Sequence, residues 1–305
     1  MPLFNWLRSL FVQPKSSKED QEAKILEAIE LFKASERYQQ VSLLEKKAIA
    51  FQLVKEGAQQ NSRSKFGGDP LLPADFPWPS SKDRELDFLL QVDLSEIASL
   101  DAENQLPKSG LLTFFYDVEN QPWGFDPANT DAHRVVYFAD QPFTRRSAPS
   151  SCVVSPECKL IFNPWTTFPD PDSWAVTQFQ NKNHWNEEEI RQYRHYYYDL
   201  LEQNDKIIKS HHWLLGNSEN VQNDMQLEAQ LVSNGLYCGD STGYDDPRRK
   251  ELEPGAADWQ LLMQLDSDET ADVMWGDVGI LYFWIRKNDL ANLDFSKTWM
   301  DLQCC

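Results

Sequence analysis

With 305 residues, 41% of them apolar and 25% charged, the chain has material for a large buried core in one large or two ordinary domains. Acidic residues (48) outnumber basic ones (29), and the formal charge of −19 argues against nucleic acid and anionic membrane as partners and suits either plain solubility or a partner with a basic surface. The five scattered cysteines make no disulfide framework, no apolar run nears the roughly 18 residues of a membrane span, and no signal-peptide pattern opens the chain, so a reducing, cytoplasmic setting is expected.

Residues 1–12 put Leu3, Trp6, Leu7, Leu10 and Phe11 on one helical face. A membrane-surface anchor and a short helix docked on protein share that pattern, and with only Arg8 positive nearby the docked reading is favoured. A polar, lysine-rich linker follows over 13–21. A helix is predicted over 19–34, with Ile25, Ile29 and Phe32 on one side. A second is predicted to open at Ser42, where Ser42 and Glu45 have capping-box spacing, and to run past Leu44, Ala48, Phe51 and Leu53 or Val54 to a stop at Gly57.

At Ser64 the texture changes. Gly67, Gly68, Pro70, Pro73, Pro77 and Pro79 exclude regular helix and ladder, so 65–79 reads as an ordered loop anchored by Phe76 and Trp78. Strands are predicted at 88–94, with a helical turn starting at Ser95, and at 111–116 and 135–138. The stretch 141–179 reads as irregular, with strand-like pieces at 152–154 and 159–162. Asn186 and Glu189 sign a second capping box, opening a helix over 186–202. Beyond 211–216 come a polar stretch to Leu227 and a flexible acidic loop over 234–258. The segment 259–289 is the densest apolar and aromatic one in the chain and reads as two buried strands joined by an acidic loop; a last strand is predicted over 298–303. The 11 Trp, 10 Tyr and 17 Phe fit a β-rich protein, because flat side chains pack well on a pleated face.

The chain repeats itself. Leu89-Leu90-Gln91-Val92-Asp93 matches Leu262-Met263-Gln264-Leu265-Asp266, and Gly110 to Tyr116 matches Gly279 to Ile285. An apolar-to-glycine turn precedes each pair, at Phe66-Gly67-Gly68 and at Leu214-Leu215-Gly216. Two similar halves, over about 64–180 and 205–305, are expected to share one core in a mainly β or α+β protein, with a helical extension over 1–63.

These segments resemble the YwqG-like family of bacterial proteins, a domain of unknown function. The residues that carry the resemblance are Phe66-Gly67-Gly68-Asp69-Pro70 to Phe76-Pro77-Trp78-Pro79, then Leu106-Pro107-Lys108-Ser109-Gly110 to Tyr116, and Trp275-Gly276-Asp277-Val278-Gly279 to Asp289. The resemblance covers residues 64–305. It implies a β-rich, roll-like fold and assigns no activity and no catalytic residue.

The candidate chemistry is sparse. Asp266, Asp268 and Asp277 lie in or beside one acidic loop and are the candidates for carboxylate catalysis or hard-cation binding, but the turn glycine and terminal glutamate of a calcium loop are missing. His133, His184, His195, His211 and His212 have no zinc spacing, so no metal and no cofactor is predicted. Cys238, between Gly235 and Gly239, has no assignable base. Gln91 and Gln264 sit at equivalent places inside apolar strands. Each is expected to tie down a neighbouring loop; alternatively both line a binding pocket between the halves, with Trp78, Trp123 and Trp275 as walls. The function read from this is a non-catalytic binding protein, with a basic protein such as a toxin as its partner; the alternative is a carboxylate-dependent, metal-assisted enzyme.

Overall fold

The structure, a computed structural model, describes residues 18–55 and 63–304, with the backbone alone for 18–25. The amphipathic segment 1–12, most of the linker, Gly57 and Cys305 lie outside the described residues. Helices α1 (Lys18–Lys33) and α2 (Glu36–Val41) come first; Ser35 caps α2 by accepting from the Tyr38 amide. Ile29, Phe32 and Val41 bury themselves against Trp185, Tyr193 and Tyr196.

The helix predicted from Ser42 is not there. A short 3-10 turn, Ser42–Leu44, leads straight into strand β1 (Lys46–Val54). Ile49, Phe51 and Leu53 alternate into the core, and Ala48 and Ala50 face the other side. The same apolar residues also fit a helical period, and the alanines favour one. Ladder partners on both edges of β1 decide the outcome, a tertiary override of local preference.

The strands then run β2 (Lys65–Phe66), β3 (Leu71–Leu72), β4 (Asp87–Asp93), β5 (Leu111–Tyr116), β6 (His133–Phe138), β7 (Thr144–Arg145) and β8 (Cys158–Thr167). After them come β9 (Trp213–Leu215), β10 (Trp259–Asp266), β11 (Ile280–Arg286) and β12 (Trp299–Gln303). The antiparallel order β12-β11-β10-β9-β1-β8-β2-β4-β5-β6 makes one sheet of ten strands among the described residues, and β3 pairs with β7 beside it. The mainly β, α+β expectation therefore holds. Residues 152–154 are not strand, and β8 runs on past 162 through Pro164. A proline is tolerated there because β2 pairs only with Cys158 and Lys159, so that Pro164 has β1 as its one ladder neighbour.

The β4–β5 and β10–β11 pairs share a local geometry. The β4–β5 and β10–β11 hairpins both carry a register shift, between Phe88 and Leu90 and between Leu261 and Met263, so the extra residue falls at the matching Leu89 and Leu262. Short strand β2 pairs with Gln91 and Leu90 as β9 pairs with Gln264 and Met263. The strands that lead into β2 and β9 cross over: β1, ahead of β2 in the chain, lies against β9, and β8, ahead of β9, lies against β2. Matching Phe66 to Leu214 carries Gln52 onto Ile161, its own partner in the β1–β8 pair, so a local two-fold passes between them.

The sheet curls around an apolar interior to which all ten strands contribute. Phe114 of β5 meets Phe283 of β11 edge to face at 5.2 Å across it. The two edges come together where His133 Nε2 lies 3.1 Å from both the carbonyl and the hydroxyl of Thr298. The remaining helices are α3 (Leu94–Ile97), α4 (Trp174–Lys182), α5 (Glu187–Asn204), α6 (Met225–Val232), α7 (Ser241–Asp245), α8 (Arg249–Leu252) and α9 (Lys287–Ala291), of which α3 and α9 send Leu94, Ile97 and Leu290 into that interior. The capping box predicted at Asn186 is present, with Asn186 and Glu189 bonding reciprocally. The stretch 234–258, expected to be a loop, holds α7, α8 and a 3-10 segment, Glu253–Asp258.

Candidate functional site

Strand alternation past the Leu262 bulge turns Gln264 and Asp266 to the outer face of the second half, where Tyr282 and Asp301 join them in register across β11 and β12. Gln264 is fully buried. Its oxygen accepts from the Glu219 amide, and its amide donates to the His211 carbonyl, both at 3.0 Å. Gln91, equally buried, accepts from the Leu71 amide at 2.7 Å, and its Nε2 has no hydrogen-bond partner. Leu71 and Glu219 lie at matching places in the loops that follow β2 and β9. Both glutamines therefore tie down their neighbouring glycine loops.

The acidic candidates are engaged locally. The His212 ring, with no exposed surface, stacks on Phe51 at 5.2 Å. Its Nδ1 accepts from the Asp266 amide at 2.9 Å, so Nε2 carries the proton and donates to Asp268 at 3.0 Å. Burial would raise the Asp268 carboxyl, but hydrogen bonds from His212, Thr270 and Ser210 outweigh it and hold the group well below the usual carboxylate range. Asp266 accepts from the His211 amide. His211 lies between Glu219 at 2.6 Å and Asp205 at 3.1 Å. Burial pulls its pKa down, and the hydrogen bond and charge of Glu219, with Asp266 and Asp205 behind, turn the net shift upward. Asp277 is exposed on the turn before β11.

The three tryptophans do not meet. Trp78 packs beside Phe115 on the outer face of the first half and donates to the Leu86 carbonyl. Trp275 is fully buried in the interior and donates to the Asp266 carbonyl. Trp123, 36% exposed, stands at a cavity of about 220 Å³ on the outer face of the second half.

That cavity carries the chemistry. Phe125, Gln222, Glu228, Cys238 and Asp301 line it with Trp123. Asp224 caps α6 by accepting from the amides of Gln226 and Leu227, which brings Glu228 on the next turn down onto the sheet. Glu228 is 8% exposed and accepts from the Tyr244 hydroxyl at 2.9 Å. Asp301 is 2% exposed, and its Oδ2 has no hydrogen-bond partner among the described residues.

Burial raises the Glu228 carboxyl to about 7; the Tyr244 hydrogen bond opposes this and the Asp224 charge adds to it. Burial also raises Asp301 well above the carboxylate range, helped by Glu228 and Asp224. Two carboxyls on one cavity resist ionising together, so each makes the other hold its proton more tightly. Burial, with Glu228 nearby, pushes the Cys238 thiol up to about 12, which removes it as a nucleophile. No group of three or more His, Cys, Asp or Glu among the described residues is arranged to hold a metal ion.

Sequence reasoning singled out Trp123 and passed over Glu228 and Asp301. The argument applied to Gln91, a polar residue between large apolar neighbours in a strand, also fits Asp301 between Met300 and Leu302. A family model described as "Domain of unknown function (DUF1963)" matches residues 64–304. No curated protein matches the chain.

Proposed function

We propose that this chain, which belongs to the DUF1963 family, is a non-catalytic binding protein whose cavity receives an ammonium or guanidinium group between Glu228 and Asp301. The observation that carries the reading is Asp301, a buried carboxyl with an unpartnered oxygen on a cavity wall. An isolated buried polar oxygen costs about 1–3 kcal/mol, and a cationic donor offsets that cost. Trp123 and Phe125 add aromatic surface, which favours a cation.

In its finer form the ligand is the tip of a lysine or arginine on a basic protein such as a toxin, steered by the net charge of −19. The YwqG-like naming, a bacterial cytoplasmic setting and an internal duplication belong to the same proposal. The matching bulges and glutamine-to-loop bonds support the duplication. The alternative, a carboxylate-dependent enzyme, draws on the same pair, since a group titrating at about 7 exchanges protons readily at neutral pH. Asp266 and Asp268 support it less, being committed to His211 and His212.

Calorimetric titration of n-butylamine and methylguanidine into the wild type and Asp301→Asn tests the reading. Saturable binding weakened about 10-fold or more in the variant is expected from the loss of a buried charge-assisted bond. Failure of both probes to bind the wild type contradicts it. Turnover of a bound ligand that is abolished by Glu228→Gln establishes the enzyme instead.

A further inference from the structure

A second cavity, of about 150 Å³, opens on the outer face of the second half, between the Ser42–Leu44 turn, the start of β1, residues 169–175 and strands β10 and β11. Its walls are mostly apolar: Leu43, Leu44, Pro169, Leu261 and the Trp284 ring. Two donors face this apolar setting without partners. Lys46 is half-buried, and its ammonium makes no hydrogen bond or ion pair among the described residues. The Trp284 indole N–H is buried and has no acceptor among the described residues. The nearby Glu45 carboxylate is committed to Lys47 at 2.6 Å.

The remaining carboxyl in the lining, Asp170, accepts from the Asp172 amide at 2.8 Å. Burial raises it to about 7, so it does not set a full negative charge against an anion. Burial lowers the Lys46 pKa, the Lys287 charge acts in the same direction, and the Glu103 carboxylate opposes them without reversing the shift. The lining of the cavity thus includes both a cation and an N–H donor beside apolar walls. An apolar chamber of about 150 Å³ is the size that benzene fills.

We infer that this cavity binds a small monocarboxylate with a compact apolar body, its carboxylate against Lys46 and the Trp284 indole and its body against Leu43, Leu44 and Leu261. Such a ligand is opposite in charge to the one proposed for the Glu228–Asp301 cavity, so each site stands or falls alone.

Benzoate is the probe, with neutral benzyl alcohol as its isostere. Titration followed by calorimetry and by the indole N–H resonance of Trp284, assigned with Trp284→Phe, reads the site. Benzoate is expected to bind at least about 10-fold tighter than benzyl alcohol and to shift the Trp284 resonance. Lys46→Met is expected to remove that preference, Lys46→Arg to keep it, and Asp301→Asn to leave it unchanged. Equal affinity for the two probes, an unmoved Trp284 resonance, or the absence of saturable benzoate binding at millimolar concentration overturns the inference. The wild-type comparison of the two probes decides it even if Lys46→Met does not fold.

Discussion

Asp301 and Glu228 are acids placed where ionisation is disfavoured, and that has a consequence for stability. The folded pKa of Glu228, about 7, lies above its usual value of 4.5, so the folded state holds the proton more tightly than the unfolded one. Its contribution is fully present below about 4.5 and is lost as pH rises through about 7. Glu228→Gln removes this dependence. The variant should therefore gain on the wild type by roughly 3 kcal/mol as pH rises from about 5 to 8; a gap between their denaturation curves that stays constant with pH contradicts the assignment. Cys238 offers a second check at this scale. It is 6% exposed with its thiol raised to about 12, so iodoacetamide should modify it only as fast as the protein unfolds. Much of this site was within reach of the sequence. Asp301 interrupts an apolar strand as Gln264 does, whereas Glu228 lies in α6, between the polar stretch that ends at Leu227 and the loop expected over 234–258, where the sequence signals no element.

The matched elements differ at places that explain what each half does. Arg63-Ser64 in the first half corresponds to His211-His212 in the second: the Ser64 hydroxyl accepts from the Asp93 amide as His212 Nδ1 accepts from the Asp266 amide. A small hydroxyl thus stands beside β4 where an imidazole, packed between Phe51 and Asp268, stands beside β10. His212→Ala should cost about 3 kcal/mol, from the lost ring packing and the Asp266 amide left unpaired. The glutamines are a finer comparison. Gln264 uses both ends of its amide and Gln91 only its oxygen, so Gln264→Leu should destabilise by about 2–3 kcal/mol and Gln91→Leu by about 1 kcal/mol less. Equal losses in urea denaturation would contradict the pairing. Both strand pairs were legible because apolar-Gln-apolar-Asp states a period of two, while the runs at 111–116 and 280–285 are continuous apolar stretches of strand length set off by glycine. Strand β1 was not, because Leu44, Ala48 and Phe51 also satisfy a helical period and its ladder partners lie far along the chain.

For the whole molecule, the crossed leading strands bind the halves into one unit. The family match begins at residue 64, but the sheet takes β1, with residues 46–54, into its centre between β8 and β9. A border at 63 therefore cuts through the sheet. A chain starting at Ser64 should lose cooperative unfolding, and a synthetic peptide covering residues 18–63 should restore it when added in trans, since β8 and β9 would otherwise have unpaired edges. Cooperative unfolding of the shortened chain alone would show that β1 is dispensable. The same architecture sets the outer face of the second half, where α6 and β12 bring Glu228 and Asp301 to one cavity under a net charge of −19. The most direct test of the binding account is a carbon-13 NMR titration of the Glu228 side-chain carboxyl, with and without n-butylamine. The account predicts a midpoint at about 7 in the free protein that moves down when the amine is present, because a bound cation favours the carboxylate. A midpoint near the usual 4.5, unmoved by the amine, would contradict it.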